Sequence, residues 1–449
     1  MPEPKERIEY PMTTNYNPGL FQYLGKVSPK EYFPLGAQHM IVAIVNAVTP
    51  ALIVANVAGL DARDTAMLVQ VCLLFTALAT LTQLYTLGGR IGGRLPAMTG
   101  TSLAYVPTMT AIVGLYGLPA LLGAQIVGGI AAMLVGVFFK PMRKLFPPVV
   151  TGTVIFSIGV SLYPVGIRNI AGGAGAIGFG NPENWIVAII AIAMVIFFTH
   201  FTKGIPKLAS VLLGVIAGYI AAIFFGIVSF ESIGQIRILP TIPGPLHFGI
   251  EFVPGAIISL SIMSIINCVQ MIGDVSSITY GGMDRAPTTN EYSGTILAQG
   301  FFSVLGGIFG PLPLATYSQN VGLITLNRVV NRRVFVCAAL IMLMAGLFPI
   351  ASSILATIPL PVLGGATLLA FATIVINGIR MINDAGINPR NITIFALSVA
   401  LGIGIVQVPG SLSGFPDWVS VVFASNAVVV SALLAIILNL ILPKDKEDA

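Results

Sequence analysis

Apolar residues run through this chain in blocks separated by short polar stretches. Blocks of about 17–25 residues are the length that crosses a bilayer as a helix. Counted this way, about fourteen segments are predicted, beginning near Pro34, Thr65, Ala97, Leu118, Pro147, Trp185, Pro206, Phe252, Tyr292, Thr316, Val334, Leu360, Asn391 and Pro416. Two blocks, 97–115 and 314–330, are interrupted. The third segment reads LPAMTGTSLAYVPTM, with Pro96 and Pro107 bracketing Thr and Ser; the tenth reads PLPLATYSQNVGL, with Pro311 and Pro313 ahead of Thr316, Ser318, Gln319, Asn320 and Gly322. Proline removes a backbone donor and glycine loosens the chain, so neither block is expected to be a continuous helix. In lipid, freed backbone groups are tolerated only where protein or a wet cavity satisfies them. A break lined with amides therefore predicts a place for a polar solute.

The two breaks occupy corresponding positions in two halves of seven segments each. Paired Gly/Pro-interrupted segments point to an inverted-repeat transporter with its site at the midplane. An odd number of segments per half inverts the second half, so the positive ends of two half-helices should face each other across that site.

Composition sharpens this reading: 56% of residues are hydrophobic and 9% charged, against about 25% charged in a soluble chain. An all-α polytopic membrane protein is expected. With the N-terminus inside, nineteen of the 22 Lys and Arg fall on the cytoplasmic side, and only Arg63, Arg168 and Arg237 fall outside. That bias predicts an even number of segments with both termini cytoplasmic. The net charge of +5 is accordingly a mark of topology and not of nucleic-acid binding. The polar stretch before Phe33 lacks a signal-peptide layout and reads as a cytoplasmic tail. Cys72, Cys268 and Cys337 lie dispersed in apolar runs, which suits packing and not a metal site or disulfide framework. The glycine-rich stretch from Gly172 to Gly180 has no Lys-Ser/Thr follow-on and reads as an outer loop. Neither metal-ligand spacing nor a nucleophile beside a base appears, so neither a cofactor nor an enzyme is expected.

Polar residues at membrane depth carry the chemistry. In the eighth segment Asn267, Gln270, Asp274 and Ser277 fall within an arc of roughly 80° on an oily helix. An intramembrane carboxylate is a functional candidate by default, with inter-helix hydrogen bonding as the plainer reading. Gln38 and His39 open the first segment; His39 is either a satisfied core donor or a proton carrier. Gln270 and Gln319 offer the mixed donor and acceptor groups that match the edge of a planar heterocycle. A site built on such bonds rejects analogues that leave its own groups unpaired.

At these residues the chain resembles the nucleobase–ascorbate transporter family. The family signature is Gln or Glu, then Asn-x-Gly, four variable residues, Thr and often a basic residue; here Gln319-Asn320-Val321-Gly322 leads to Asn327-Arg328. The resemblance extends to Gln38-His39, to Gly100-Thr101-Ser102, to FPPVVTGTVI at 146–155 and to PVLGGATLL at 361–369. It departs at two positions: Gln270 stands where the family usually has Glu, and Asn327 where the signature has Thr.

The resemblance implies a 7+7 inverted repeat with short antiparallel strands in segments 3 and 10. It implies an N-terminal tail at 1–32, core parts at 33–145 and 251–353, gate parts at 146–250 and 354–443, and a tail at 444–449. It also implies a homodimer in a lipid bilayer importing a purine base of the xanthine and uric acid class, usually with protons, by an elevator-type movement. Carried over residue by residue, Gln270, Gln319, Ser102, Ser318 and Val321 are the expected substrate contacts. Asp274, His39, Asn320, Gln38, Thr101, Gly322 and Arg328 are expected to support the site or couple it to protons. A uracil permease, or an anion transporter of the sulfate-permease type, is the rival reading.

Overall fold

Ser28 and Glu31 start the first helix: the Ser28 backbone N–H donates to Glu31 Oε2 at 2.7 Å, and Pro29 takes the first helical position, where its missing N–H costs nothing. That helix, α1, runs Pro29–Val57, and α2 runs Ala62–Tyr85. The computed structural model describes residues 17–142, 147–173, 176, 178–203, 205–208, 210–228, 244–415, 419, 423–424 and 427–443. Residues 1–16 and 444–449 of the expected tails, the start of the fourteenth segment at Pro416, and Arg143, Lys144 and Arg237 of the charge pattern lie outside them.

After α2 come strand β1 (Thr99–Thr101), a 3₁₀ turn at Leu103–Tyr105, and α3 (Val106–Tyr116). Next are α4 (Leu118–Val137), the short α5 (Phe139–Met142), α6 (Pro148–Ile170), α7 (Pro182–Phe201), the short α8 (Ile205–Leu208) and α9 (Ser210–Phe224). The second half follows with α10 (Pro254–Ser277), extended by a π-turn at Ile278–Gly282, then α11 (Thr289–Phe309), β2 (Leu314–Thr316) and α12 (Ser318–Asn327). The chain continues through α13 (Arg332–Leu347), α14 (Pro349–Ala356), α15 (Leu360–Asp384), α16 (Pro389–Gln407) and α17 (Ala427–Ile441).

Among the described residues, nine helices are long and apolar enough to cross a membrane, and ten if α13 and its continuation, bent by 90°, are one span. This is fewer than the predicted segments for a physical reason. The third and tenth are divided between a strand and a short helix, and α9 and α17 are short. Several helices also start about a turn before their apolar run. Polar caps and first-turn prolines belong to the helix but not to the hydrophobic pattern, as with Pro182 in α7, Thr288 before α11 and Asn388 before α16.

Two packing groups form. In one, α2 and α1 lie against α13, while α4 packs between α10 and α11; in the other, α6 lies along α15, α7 packs on α9, and α16 packs on α17. Sparser contacts join the groups, among them α1 with α9 and α10 with α6. Small residues permit the closest approaches, as where Gly129 of α4 faces the backbone of Gly300 in α11.

Candidate functional site

The site is built on the crossing of the two broken segments. β1 and β2 pair antiparallel with Thr99 opposite Thr316 and Thr101 opposite Leu314. The pairing is prolonged at each end: Tyr317 N–H donates to the Met98 carbonyl at 2.9 Å, and Ser102 N–H donates to the Pro313 carbonyl at 3.0 Å. A two-stranded ribbon inside an apolar bundle leaves open edges, and side chains close them. Thr80 of α2 both accepts from Thr99 N–H and donates to its carbonyl, each at 3.1 Å. Gln125 of α4 donates to the Pro311 carbonyl at 2.9 Å. Because the strands run antiparallel, the N-terminus of α12 lies at one end of the ribbon and that of the turn leading into α3 at the other.

Asp274 sits on α10 beside the β2–α12 junction and is buried. Thr316 Oγ1 and Ser318 Oγ both donate to its Oδ2, the latter at 3.1 Å. Gln270, one helical turn earlier, donates from Nε2 to Ser318 Oγ at 3.1 Å, and its amide lies within bonding reach of the Asp274 carboxyl. The predicted polar stripe is therefore real for Gln270 and Asp274, which converge on Ser318. Asn267 is fully buried one turn away, whereas Ser277 is exposed and bonds back to the Gly273 carbonyl.

Asn320 and His39 form the second cluster. Both are buried, and Asn320 Nδ2 lies 2.9 Å from the His39 carbonyl oxygen and 3.2 Å from His39 Nδ1. The His39 ring rests against Phe335 of α13 with centroids 4.4 Å apart.

A cavity of about 340 Å³ opens between the two packing groups. α12 contributes Ser318, Gln319, Gly322 and Leu323; α1 contributes Asn46 among apolar residues; α15 contributes Thr367, Thr373 and Asn377. Thr199 of α7, Lys207 of α8 and Ser210 of α9 also line it. The Gln319 side chain makes no hydrogen bond to another described residue and is half-buried at the cavity wall.

Of the residues expected from sequence, Gln319, Ser318 and Gly322 line the cavity, and Gln270 and Asp274 are tied to it through Ser318. Val321 is buried and outside the cavity wall. Ser102 is also buried; its hydroxyl caps the 3₁₀ turn by accepting from Ala104 N–H at 3.2 Å, so its side chain serves the scaffold. Thr101 and Gln38 are buried in the core. Arg328 is exposed at the end of α12, in a left-handed conformation that ends the helix, and is not brought to the cavity. The polar lining residues missed are Asn46, Thr199, Lys207, Ser210, Thr367, Thr373 and Asn377. Asn46 was findable, since it stands two helical turns after His39 in an otherwise oily stretch.

Comparison with known proteins identifies the family and the fold. A model described as the permease family matches residues 30–411. The uric acid permease PucJ of Bacillus subtilis is 34% identical over 426 residues, 93% of this chain and 94% of that protein. The xanthine permease XanP of Escherichia coli is 31% identical over 435 residues, 91% of each. Among solved structures, the transmembrane domain of the cyanobacterial bicarbonate transporter BicA matches with a TM-score of 0.57 at 16% identity, covering 92% of this chain and 99% of that one. The murine Slc26a9 anion transporter matches with a TM-score of 0.62 at 12% identity, covering 96% of this chain and 73% of that one. At such identities the two structures speak for a shared fold alone.

Proposed function

Because this chain belongs to the nucleobase–ascorbate transporter family, we propose that it carries a purine base of the xanthine and uric acid class across the membrane by secondary active transport. It is a multi-pass membrane transporter and not an enzyme. One observation carries the choice of site: the cavity of about 340 Å³ between the two packing groups is walled by Ser318 and Gln319 at the N-terminus of α12. Its size lies at the lower end of small-molecule sites. An unpaired carboxamide beside a helix N-terminus suits a flat, electron-rich heterocycle.

The placement of the cavity supports an elevator-type mechanism. The group holding α1, α10 and α12 is the carrying core, spanning parts 33–145 and 251–353, and the group holding α9 and α15 is the gate, spanning parts 146–250 and 354–443. Movement of one against the other carries the base with the ribbon. Import is proton-coupled through Asp274, with both termini cytoplasmic in a bacterial plasma membrane. The exposed apolar faces of α7 and α16 meet lipid or a second copy in a homodimer.

Uptake of radiolabelled xanthine into proteoliposomes, competed by unlabelled xanthine, urate, guanine, hypoxanthine, uracil, sulfate and bicarbonate, tests the reading. Competition by purines, abolished accumulation with a protonophore, and indifference to the inorganic anions are expected. Preferential competition by uracil or by the anions overturns the substrate assignment.

A further inference from the structure

We propose that Lys207 makes this site selective for charge, favouring purines that carry a negative charge, such as the urate monoanion, over neutral purines of similar outline. Among the described residues, Lys207 is the only charged side chain that lines the cavity. It has no ion pair or hydrogen bond to another described residue. Its helix, α8, packs on α7 and α9, so the charge stands on the wall supplied by the second packing group. From the other group, α12 brings Ser318 and Gln319 of its first turn to the same cavity, and Tyr317 at its start provides no side-chain cap. Uncapped N–H groups give that end of the helix a partial positive charge. No Asp or Glu lines the cavity among the described residues. Asp274 reaches it only through Ser318, whose hydroxyl is 3.1 Å from Oδ2. A full positive charge and a helix N-terminus thus border one cavity whose described wall holds no acidic side chain.

The lysine complements what an amide reads. A carboxamide recognises a pattern of donors and acceptors along the edge of a base. An ammonium is a point charge with rotatable donors, and it meets an anionic oxygen or ring nitrogen wherever the charge lies. Lys207 therefore reads charge where Gln319 reads the edge. Because Lys207 is exposed, water and salt screen the attraction, and it is worth only a few-fold in affinity. So small an effect ranks purines against one another but does not by itself hold an inorganic anion, which has no such edge. The attraction acts across the boundary between the two packing groups, since Lys207 and Gln319 stand on opposite sides of it. The inference rests on the purine-transport reading and names a specificity-determining residue within it.

The test measures binding of urate and hypoxanthine to the purified full chain by isothermal titration. At neutral pH the first is a monoanion and the second is uncharged. Wild type is expected to bind urate the more tightly. Lys207→Gln should weaken urate by about two- to fivefold and leave hypoxanthine unchanged, whereas Lys207→Arg should keep the wild-type ratio. Lys203, four residues earlier, is exposed and lies outside the cavity wall, so Lys203→Gln should also keep it. Raising the salt concentration should weaken urate and spare hypoxanthine in wild type, a readout that carries the test if Lys207→Gln does not fold. The proposal is overturned by a change in the ratio below about twofold in Lys207→Gln, by equal loss of both purines, or by the same change in Lys203→Gln. Urate binding that is indifferent to salt, or weaker than that of hypoxanthine in wild type, overturns it as well. Each of these results leaves purine binding, and with it the transport reading, intact. Absence of binding by either purine overturns the reading itself and this proposal with it.

Discussion

Asn320 donates from its amide nitrogen to the His39 carbonyl oxygen at 2.9 Å, pinning the first turn of α12 to the middle of α1. The same nitrogen lies 3.2 Å from His39 Nδ1, so Nδ1 must be the accepting, unprotonated nitrogen, and the ring proton of neutral His39 is on Nε2. Protonation of Nδ1 would set donor against donor. The imidazole is therefore committed to the scaffold in this conformation. We expect Asn320→Ala to lower turnover about tenfold while shifting base affinity by less than about threefold, because the lost bond of about 1–3 kcal/mol joins two protein elements and not protein to base. Binding to purified protein beside counterflow rates separates the two effects; a loss confined to affinity would place Asn320 at the substrate.

Gln319 stands next to Asn320 but lines the cavity, and its side chain has no protein hydrogen bond among the described residues. Gln319→Ala should weaken base binding by about 5–100-fold, equivalent to about 1–3 kcal/mol, with insertion and thermal stability unchanged. Isothermal titration with xanthine reads the effect directly. Wild-type affinity in the variant removes Gln319 from the site.

Two glycines give opposed expectations. A Cβ on Gly100 would strike Thr76 Oγ1 and the Tyr317 hydroxyl, because β1 passes tightly against α2 and the base of α12. Gly100→Ala should cost about 1–3 kcal/mol or more through overpacking. A Cβ on Gly322 meets nothing within 4 Å, since the residue borders the cavity. Gly322→Ala should leave the melting temperature within about 1–2 °C of wild type while altering the affinity for bulky bases. Scanning fluorimetry of both variants checks the contrast, and equal destabilisation would contradict the packing described for Gly100.

How much of this was legible in the sequence depends on the residue. The convergence of Gln270 and Asp274 followed from helical periodicity, because one continuous helix obeys it. The two breaks followed from proline chemistry. The break in the tenth segment is shorter than its prolines, polar run and Gly322 suggest. The extended stretch ends at Tyr317, and Gln319 and Asn320 lie in the first turn of α12. A single Gly322 costs a helix only about 1 kcal/mol and did not prolong the break. The two side chains still diverge, by about 100° of helical rotation. Thr373 and Asn377 of the cavity wall were not legible, since isolated polar residues in α15 have no local pattern that distinguishes a cavity from ordinary packing.

Asp274 carries the coupling prediction. Among the described residues no other Asp, Glu, Lys or Arg is buried, and its Oδ2 already accepts from Thr316 and Ser318, on the segment that holds Gln319. A proton arriving on Asp274 would remove the charge that these hydroxyls face, and with it the strong, charge-assisted character of the bonds linking α10 to the α12 junction. Proton binding and the grip on the base are thereby linked through shared groups. Asp274→Asn has no titratable proton but keeps the shape of the side chain. It should lose accumulation driven by an imposed pH gradient while retaining exchange of labelled for unlabelled base at about wild-type rates. Gln270→Glu places a second carboxyl one turn away and should steepen the dependence of uptake on external acidity, since two close carboxylates resist ionising together. Both variants are read in the same proteoliposomes, with the interior buffered and the exterior acidified. If Asp274→Asn still accumulates base against a gradient as well as wild type, the proton travels on another group or on the base itself, and Asp274 is only a joint between α10 and α12.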